Sequence, residues 1–223
     1  MNLRSLIAVT VSITGASLAF GAQAAPVADA ADDFLGSFTG PQQAALDVLS
    51  SDVTFDVANN RFLLHARTAG AIAGAEGVAF VFGFDRGGVA NSPFGAIGQP
   101  GVAFNATALL RSNGTGSVGA NAISVDIVGN DIFATVLADL LPSNGAAVTD
   151  FEWSLWSIDS RIAGLARNAD FAPGVNSRID VVPEPGSLTL AALALGGAGL
   201  ARRRYRGMEA SAGTAAGAVS VTR

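Results

Sequence analysis

From Asp32 onward the chain alternates apolar and polar positions in short runs that Gly, Asn and Pro interrupt. Val53, Phe55 and Val57 occupy every second position, and Phe62, Leu64 and Ala66 repeat the pattern after Asn59-Asn60. A period of two places such side chains on one face of a strand, and asparagine tolerates the positive φ of a tight turn, so this stretch predicts a β-hairpin. Val78 to Phe84 is apolar almost throughout, the mark of a central strand covered on both faces, and Asp85-Arg-Gly-Gly88 stops it. Asn91 to Gly101 is rich in Pro and Gly and predicts a loop, Val102 to Arg111 a strand, and Ser112 to Gly116 a turn.

Ile123, Val125 and Ile127 rise to Gly129-Asn130, and Ile132, Ala134 and Val136 return from it as a second hairpin. Leu137 to Leu141 predicts a short helical turn closed by Pro142, Phe151 to Trp156 a late strand, and Ile179 to Val182 the last one. Gln42 to Ser50 fits a helical stripe or a strand, and the β character of Ser50-Ser51 and Thr54 favours the strand. Strand-sized runs with no amphipathic helix between them point to an all-β domain over residues 32–181, an antiparallel β-sandwich, with a mobile leader at 25–31 ahead of it.

Two apolar runs lie outside this alternation. At the start, Arg4, the uncharged run Leu6 to Phe20 and the small residues of Ala22-Gln23-Ala24 have the order of a secretory signal peptide, residues 1–24, with cleavage after Ala24 and export by the secretion machinery. Near the end, Leu188 to Ala201 holds no charge and no proline. As a helix it would span roughly 21 Å, short of the ~30 Å hydrocarbon core. Arg202, Arg203, Arg204 and Arg206 follow as a basic stop, which the positive-inside rule keeps on the cytoplasmic side. Pro183 and Pro185, on the other flank, fix their own φ and hold Val182 and Glu184 extended. Such a segment halts translocation and presents Pro183-Glu184-Pro185 outside, as a transient transmembrane helix and not a lasting anchor. Residues 207–223, rich in Ala, Gly and Ser, have no periodicity and read as a disordered tail.

The sequence over residues 182–206, a stiff Pro-Glu-Pro, an apolar run and an arginine block, resembles the PEP-CTERM sorting signal of Gram-negative, exopolysaccharide-producing bacteria. The resemblance implies a partner, an exosortase, which is a membrane-embedded transpeptidase acting with exopolysaccharide secretion. It also implies cleavage near Pro183, Glu184 and Pro185, a passing stay in the inner membrane, and a destination at the cell surface or in a biofilm matrix. Asp33-Phe34, Phe38-Thr-Gly-Pro41, Leu46-Asp-Val-Leu49, Phe82-Gly-Phe-Asp-Arg-Gly87 and Asp170-Phe-Ala-Pro173 are similar to phrases of small PEP-CTERM ectodomains of unassigned function. Those ectodomains bring no catalytic motif to carry over.

Half of the residues are hydrophobic and mean hydropathy is +0.43, figures that the two apolar ends raise. The body between them is acidic: over residues 25–182, seven arginines against sixteen carboxylates leave a net charge of −9, and the chain has no lysine. Such a surface repels phosphate backbones, which excludes nucleic acid as a partner. Cysteine is absent, so disulfides, thiol catalysis and thiolate metal sites are excluded as well.

Candidate chemistry in the body is sparse. Gly114-x-Gly116-x-x-Gly119 matches a dinucleotide fingerprint by letter, but strand-like Ala120 to Ile127 follows where a helix would have to open, so a hairpin turn is expected. His65, the single histidine, falls on the polar side of its strand and has no nucleophile elbow to partner it. Asp32, Asp33, Asp85, Asp150, Glu152 and Asp170 could offer oxygen ligands to Ca²⁺ or a glycosidase pair, while turn capping is the simpler use. Trp153 and Trp156, three apart on a strand, face opposite sides, so one could offer a face for sugar stacking, while core or interface packing is the simpler use of both. The sequence therefore reads as a non-enzymatic exported protein with no cofactor and no metal site assigned. A carbohydrate-binding module, with calcium or without, and a glycan hydrolase stand as alternatives, with exopolysaccharide as the ligand.

Overall fold

The computed structural model describes residues 25–182, and among them every regular element is a strand or a short 3-10 turn. The strands are β1 (Val27–Ala28), β2 (Val48–Asp56), β3 (Arg61–Thr68), β4 (Val78–Asp85), β5 (Ala106–Arg111) and β6 (Thr115–Val118). They continue with β7 (Asn121–Val128), β8 (Asp131–Leu137), β9 (Glu152–Asp159), β10 (Asn168–Phe171), β11 (Ser177–Arg178) and β12 (Asp180–Val182). The first hairpin forms as its alternation requires: Val53 lies opposite Leu64 and Phe55 opposite Phe62, all four buried. Asn60, at φ 49°, takes the left-handed position in the turn. The second hairpin pairs β7 with β8 across Gly129-Asn130, and Leu137 is followed by the expected helical turn at Ala138–Leu140.

The expected sandwich of two separate sheets is instead one sheet, in the order β1-β2-β3-β8-β7-β6-β5-β4-β9-β10, curled into a half-barrel. Strand β7 makes the difference. Its first half, Asn121 to Ser124, pairs with β6, and its second half, Val125 to Val128, pairs with β8. Eight residues are enough to serve both layers, and the twist of a sheet turns the strand from one layer into the other. All pairings along this path are antiparallel, whereas β12 lies parallel to β2. Both β1 and β12 lie along one edge of β2, β1 against Ser50 and Ser51 and β12 against Thr54 to Asp56.

The main core fills the inside of the curl. Phe62 of β3 is fully buried, 5.7 Å between ring centres from Phe84 of β4 and 5.9 Å from Phe151 ahead of β9. A second, smaller core covers the outer face of β4 and β9, where the loop through Phe94, Val102 and Phe104 folds back over Ala79, Val81, Trp156 and Ile158. Gly83 permits this layer, since a Cβ there would come within 2.7 Å of the Trp156 ring. That double burial explains why Val78 to Phe84 reads as an unbroken apolar run.

Several boundaries shift. The leader expected over 25–31 carries β1 and donates the Asp29 amide to the Leu49 carbonyl at 2.9 Å. Residues 44–46 turn before β2 begins at Val48, so only the end of the Gln42–Ser50 stretch is strand. Val102 is buried in the covering loop, with the strand starting at Ala106, and a short strand β6 at Thr115–Val118 takes the last two residues of the turn expected over Ser112 to Gly116.

Candidate functional site

The two free ends of the curled sheet, β1-β2 and β9-β10, meet along a seam. Across it Asp170 Oδ2 accepts the Val48 amide at 2.8 Å, and the Ser51 hydroxyl donates to the Ala172 carbonyl. The segment after β1 crosses the same gap, with Leu35 donating its amide to Ala169 O at 2.8 Å. Four carboxylates gather here. Asp29 follows β1, Asp33 follows a turn in which Asp32 adopts φ 62°, Asp47 precedes β2, and Asp170 is on β10. A register irregularity between Asn168 and Asp170 re-aims β10, as bulges do, and Asp170 is left only 2% exposed.

One carboxylate oxygen each from Asp29, Asp33 and Asp170 lies within 4.8 Å of the others. Asp47 stands beside them, 1% exposed, its Oδ2 accepting the Asp32 amide at 3.0 Å and its Oδ1 with no hydrogen-bond partner. Asp29 Oδ2 is likewise out of water and unpartnered. Burial, reinforced by the charge of Asp33, pushes the Asp29 carboxyl up to about 6. Burial and then the charges of Asp29 and Asp33 push Asp170 up to about 7, although it accepts the Val48 and Phe171 amides. Asp47 is also raised by burial, with the Asp32 amide opposing. Among the described residues none of the four acids forms an ion pair.

Of the acids singled out in the sequence, Asp33 and Asp170 come together at this seam, with Asp32 contributing its amide, while the others do not join it. Asp85 caps its own loop by accepting the Gly87 amide at 2.9 Å, and Asp150 lies 3.7 Å from Arg178. Asp29 and Asp47 escaped the sequence reading. An acid inside the apolar run Leu46-Asp-Val-Leu49 was the available signal for Asp47, whereas nothing local distinguishes Asp29.

His65 points away from the core, as its strand position requires. Its Nδ1 lies 2.7 Å from Asp52 Oδ1 and its Nε2 lies 2.9 Å from Asp131 Oδ1, while the ring stacks on Phe133 at 4.6 Å. The hydrogen bond to Asp52, helped by Asp131, holds its pKa above the usual histidine value against the opposing effect of burial. Gly114 and Gly119 occupy left-handed turn positions on either side of β6, which is the hairpin geometry and not a dinucleotide cradle. Trp153 and Trp156 do face opposite sides, but both are buried, at 2% and 3% exposure. The outward one, Trp156, is covered by Phe94, Phe104 and Phe171, so both pack as the simpler use anticipated, and the alternative of a sugar platform finds no exposed ring at this pair.

A cleft of about 380 Å³ opens beside that aromatic cluster, between Val81, Phe94, Leu109 and Arg167, and a second of about 290 Å³ runs past Glu76, Arg111 and Ser160. Neither holds the pair of facing carboxylates that glycoside hydrolysis needs. No described helix is long and apolar enough to cross a membrane. The expected cleavage residues Ala22 and Ala24, the motif Pro183, Glu184 and Pro185, the apolar run, and Arg202, Arg203, Arg204 and Arg206 lie outside the described residues.

Residues 181–204, about a tenth of the chain, match the family model described as the PEP-CTERM protein-sorting motif. No curated protein and no solved structure matches the chain. The last two residues of β12 are also the first two of that match. An all-β domain thus leads directly into its address label: the chain carries a PEP-CTERM protein-sorting motif, which marks it for exosortase-dependent sorting.

Proposed function

We propose that this chain is an exported, non-enzymatic surface or matrix protein whose precursor is parked by the apolar run Leu188 to Ala201 and cut near Pro183-Glu184-Pro185 by an exosortase. The observation that carries this reading is the match of residues 181–204 to the sorting motif, beginning inside the strand that closes the domain. Physical chemistry supports the same division of labour. A run too short to fill the bilayer suits a temporary stop, with the arginine block holding its far end on the cytoplasmic side. The two prolines pre-set an extended tripeptide, so little chain entropy is lost when a protease cleft receives it. The net charge of −9 over residues 25–182 favours a soluble, self-repelling product in the matrix after release.

Mass spectrometry of the mature protein from its native host tests the proposal. The expected product begins after Ala24 and ends at or near Pro183-Glu184-Pro185. A mature chain that still ends in Arg223 overturns it.

A further inference from the structure

We propose that the acidic seam binds one calcium ion, which clamps the two ends of the curled sheet to each other through Asp29, Asp33 and Asp170. Two ligand atoms on opposite sides of a Ca²⁺ ion, each about 2.4 Å away, stand about 4.8 Å apart. The three oxygens of Asp29, Asp33 and Asp170 fall within that span of one another, the spacing that a shared ion requires.

The second observation is independent of the clustering. Asp29 Oδ2, within the cluster, is out of water and has no donor, and Asp47 nearby is almost wholly buried with its Oδ1 also lacking one. Because the other oxygen of Asp47 holds the Asp32 amide, the carboxylate is fixed against the turn that carries Asp29 and Asp33. A buried carboxylate oxygen without a partner is costly, and no described arginine or histidine reaches these acids. A cation between Asp29, Asp33 and Asp170 satisfies the Asp29 oxygen and offsets the charge beside Asp47.

The donor set selects the metal. Every available side-chain ligand is a carboxylate oxygen, with neither thiolate nor imidazole, which suits a hard cation and not zinc. His65, the single histidine of the chain, is already held between Asp52 and Asp131. Asp33 is exposed, so ion and water reach the site from solvent and water completes the coordination shell. Topology gives the ion its effect, because Asp29 and Asp33 belong to the β1-β2 end of the sheet and Asp170 to the β10 end.

The test uses the full chain purified in detergent, stripped with a chelator and titrated with calcium chloride by calorimetry, with melting curves on either side. One ion per chain is expected, and at calcium about 100-fold above Kd the Tm rises by about 5–10 °C. Magnesium chloride at equal concentration is expected to give a smaller shift. Asp33→Asn removes an exposed ligand without touching the core; it should bind calcium at least about tenfold more weakly and lose the shift, with its metal-free Tm unchanged or higher. A flat titration of the wild type, Asp33→Asn binding as the wild type does, or magnesium matching calcium would each overturn the assignment.

Discussion

Replacing His65 by glutamine is expected to destabilise the domain in acid and to matter progressively less as pH rises. A neutral imidazole has one N–H and one lone pair, so between Asp52 Oδ1 at 2.7 Å and Asp131 Oδ1 at 2.9 Å it satisfies one carboxylate and turns a lone pair toward the other. The imidazolium donates to both, tying β2 to β8 across β3. Each such charge-assisted hydrogen bond is worth about 1.5–3 kcal/mol when buried. These side chains are 19–23% exposed, so solvent screening brings the bridge to about 1–2 kcal/mol in total.

The sign follows from linkage. The folded pKa of His65 lies above its unfolded value, so between the two the folded state holds the proton more tightly and stability falls as pH rises. The contribution is complete below about pH 6.5, the ordinary histidine value, and is lost as pH climbs through the folded pKa. Urea denaturation of wild type and His65→Gln at several pH values between about 5.5 and about 9 measures it as a difference. Asp29 and Asp170 titrate in both proteins and cancel in that difference, as distant sites do. A gap of about 1–2 kcal/mol at the acid end that closes toward pH 9 is the expected result. A gap that is constant, or that widens with pH, would refute a protonated His65.

Three further outcomes follow from single features. Phe62→Ala, at a fully buried ring that joins the two layers, should cost about 3–5 kcal/mol in chemical denaturation and lower Tm by about 6–20 °C; a loss below about 1 kcal/mol would remove Phe62 from the centre of the core. Gly77→Ala adds a methyl at φ +76°, 2.7 Å from Arg161 Nε and against Asp159, so it should cost more than about 1 kcal/mol and loosen the Arg161–Asp159 pair; a neutral substitution would show that the turn can relax. Changing Pro183, Glu184 and Pro185 together to alanine should leave the C-terminal segment attached in the native host, read by intact mass, and normal trimming of that variant would locate recognition elsewhere.

The elements most legible in the sequence were those whose burial alternates cleanly. Val53, Phe55, Phe62 and Leu64 declare their hairpin because one face of β2 and β3 meets the core and the other meets water. Val78 to Phe84 declares a covered strand for the opposite reason, being buried on both faces. What could not be read is what depends on long-range closure. That β7 divides its pairing between β6 and β8 depends on the twist of the whole sheet, and no residue in Asn121 to Val128 announces it. The burial of Trp156 is decided by Phe94 and Phe104, more than fifty positions away, in a stretch whose Pro and Gly content says only loop. The acidic seam is illegible for the same reason: Asp29 and Asp170 are 141 positions apart, and only the curl of the sheet makes them neighbours.

The parallel strand β12 has a bearing on how the finished protein behaves in company. A bare strand edge offers unpaired amides and carbonyls to any other chain and is a template for aggregation. Along the outer edge of β2 the stretch Thr54 to Asp56 is, among the described residues, shielded by Asp180 to Val182, which directly precede Pro183-Glu184-Pro185. The proposed cut at Pro183-Glu184-Pro185 would therefore release a domain that keeps its own cover, whereas trimming three residues further in would expose a sticky edge at the moment of release. The position of the tripeptide, immediately after the strand, sets the last safe place to cut.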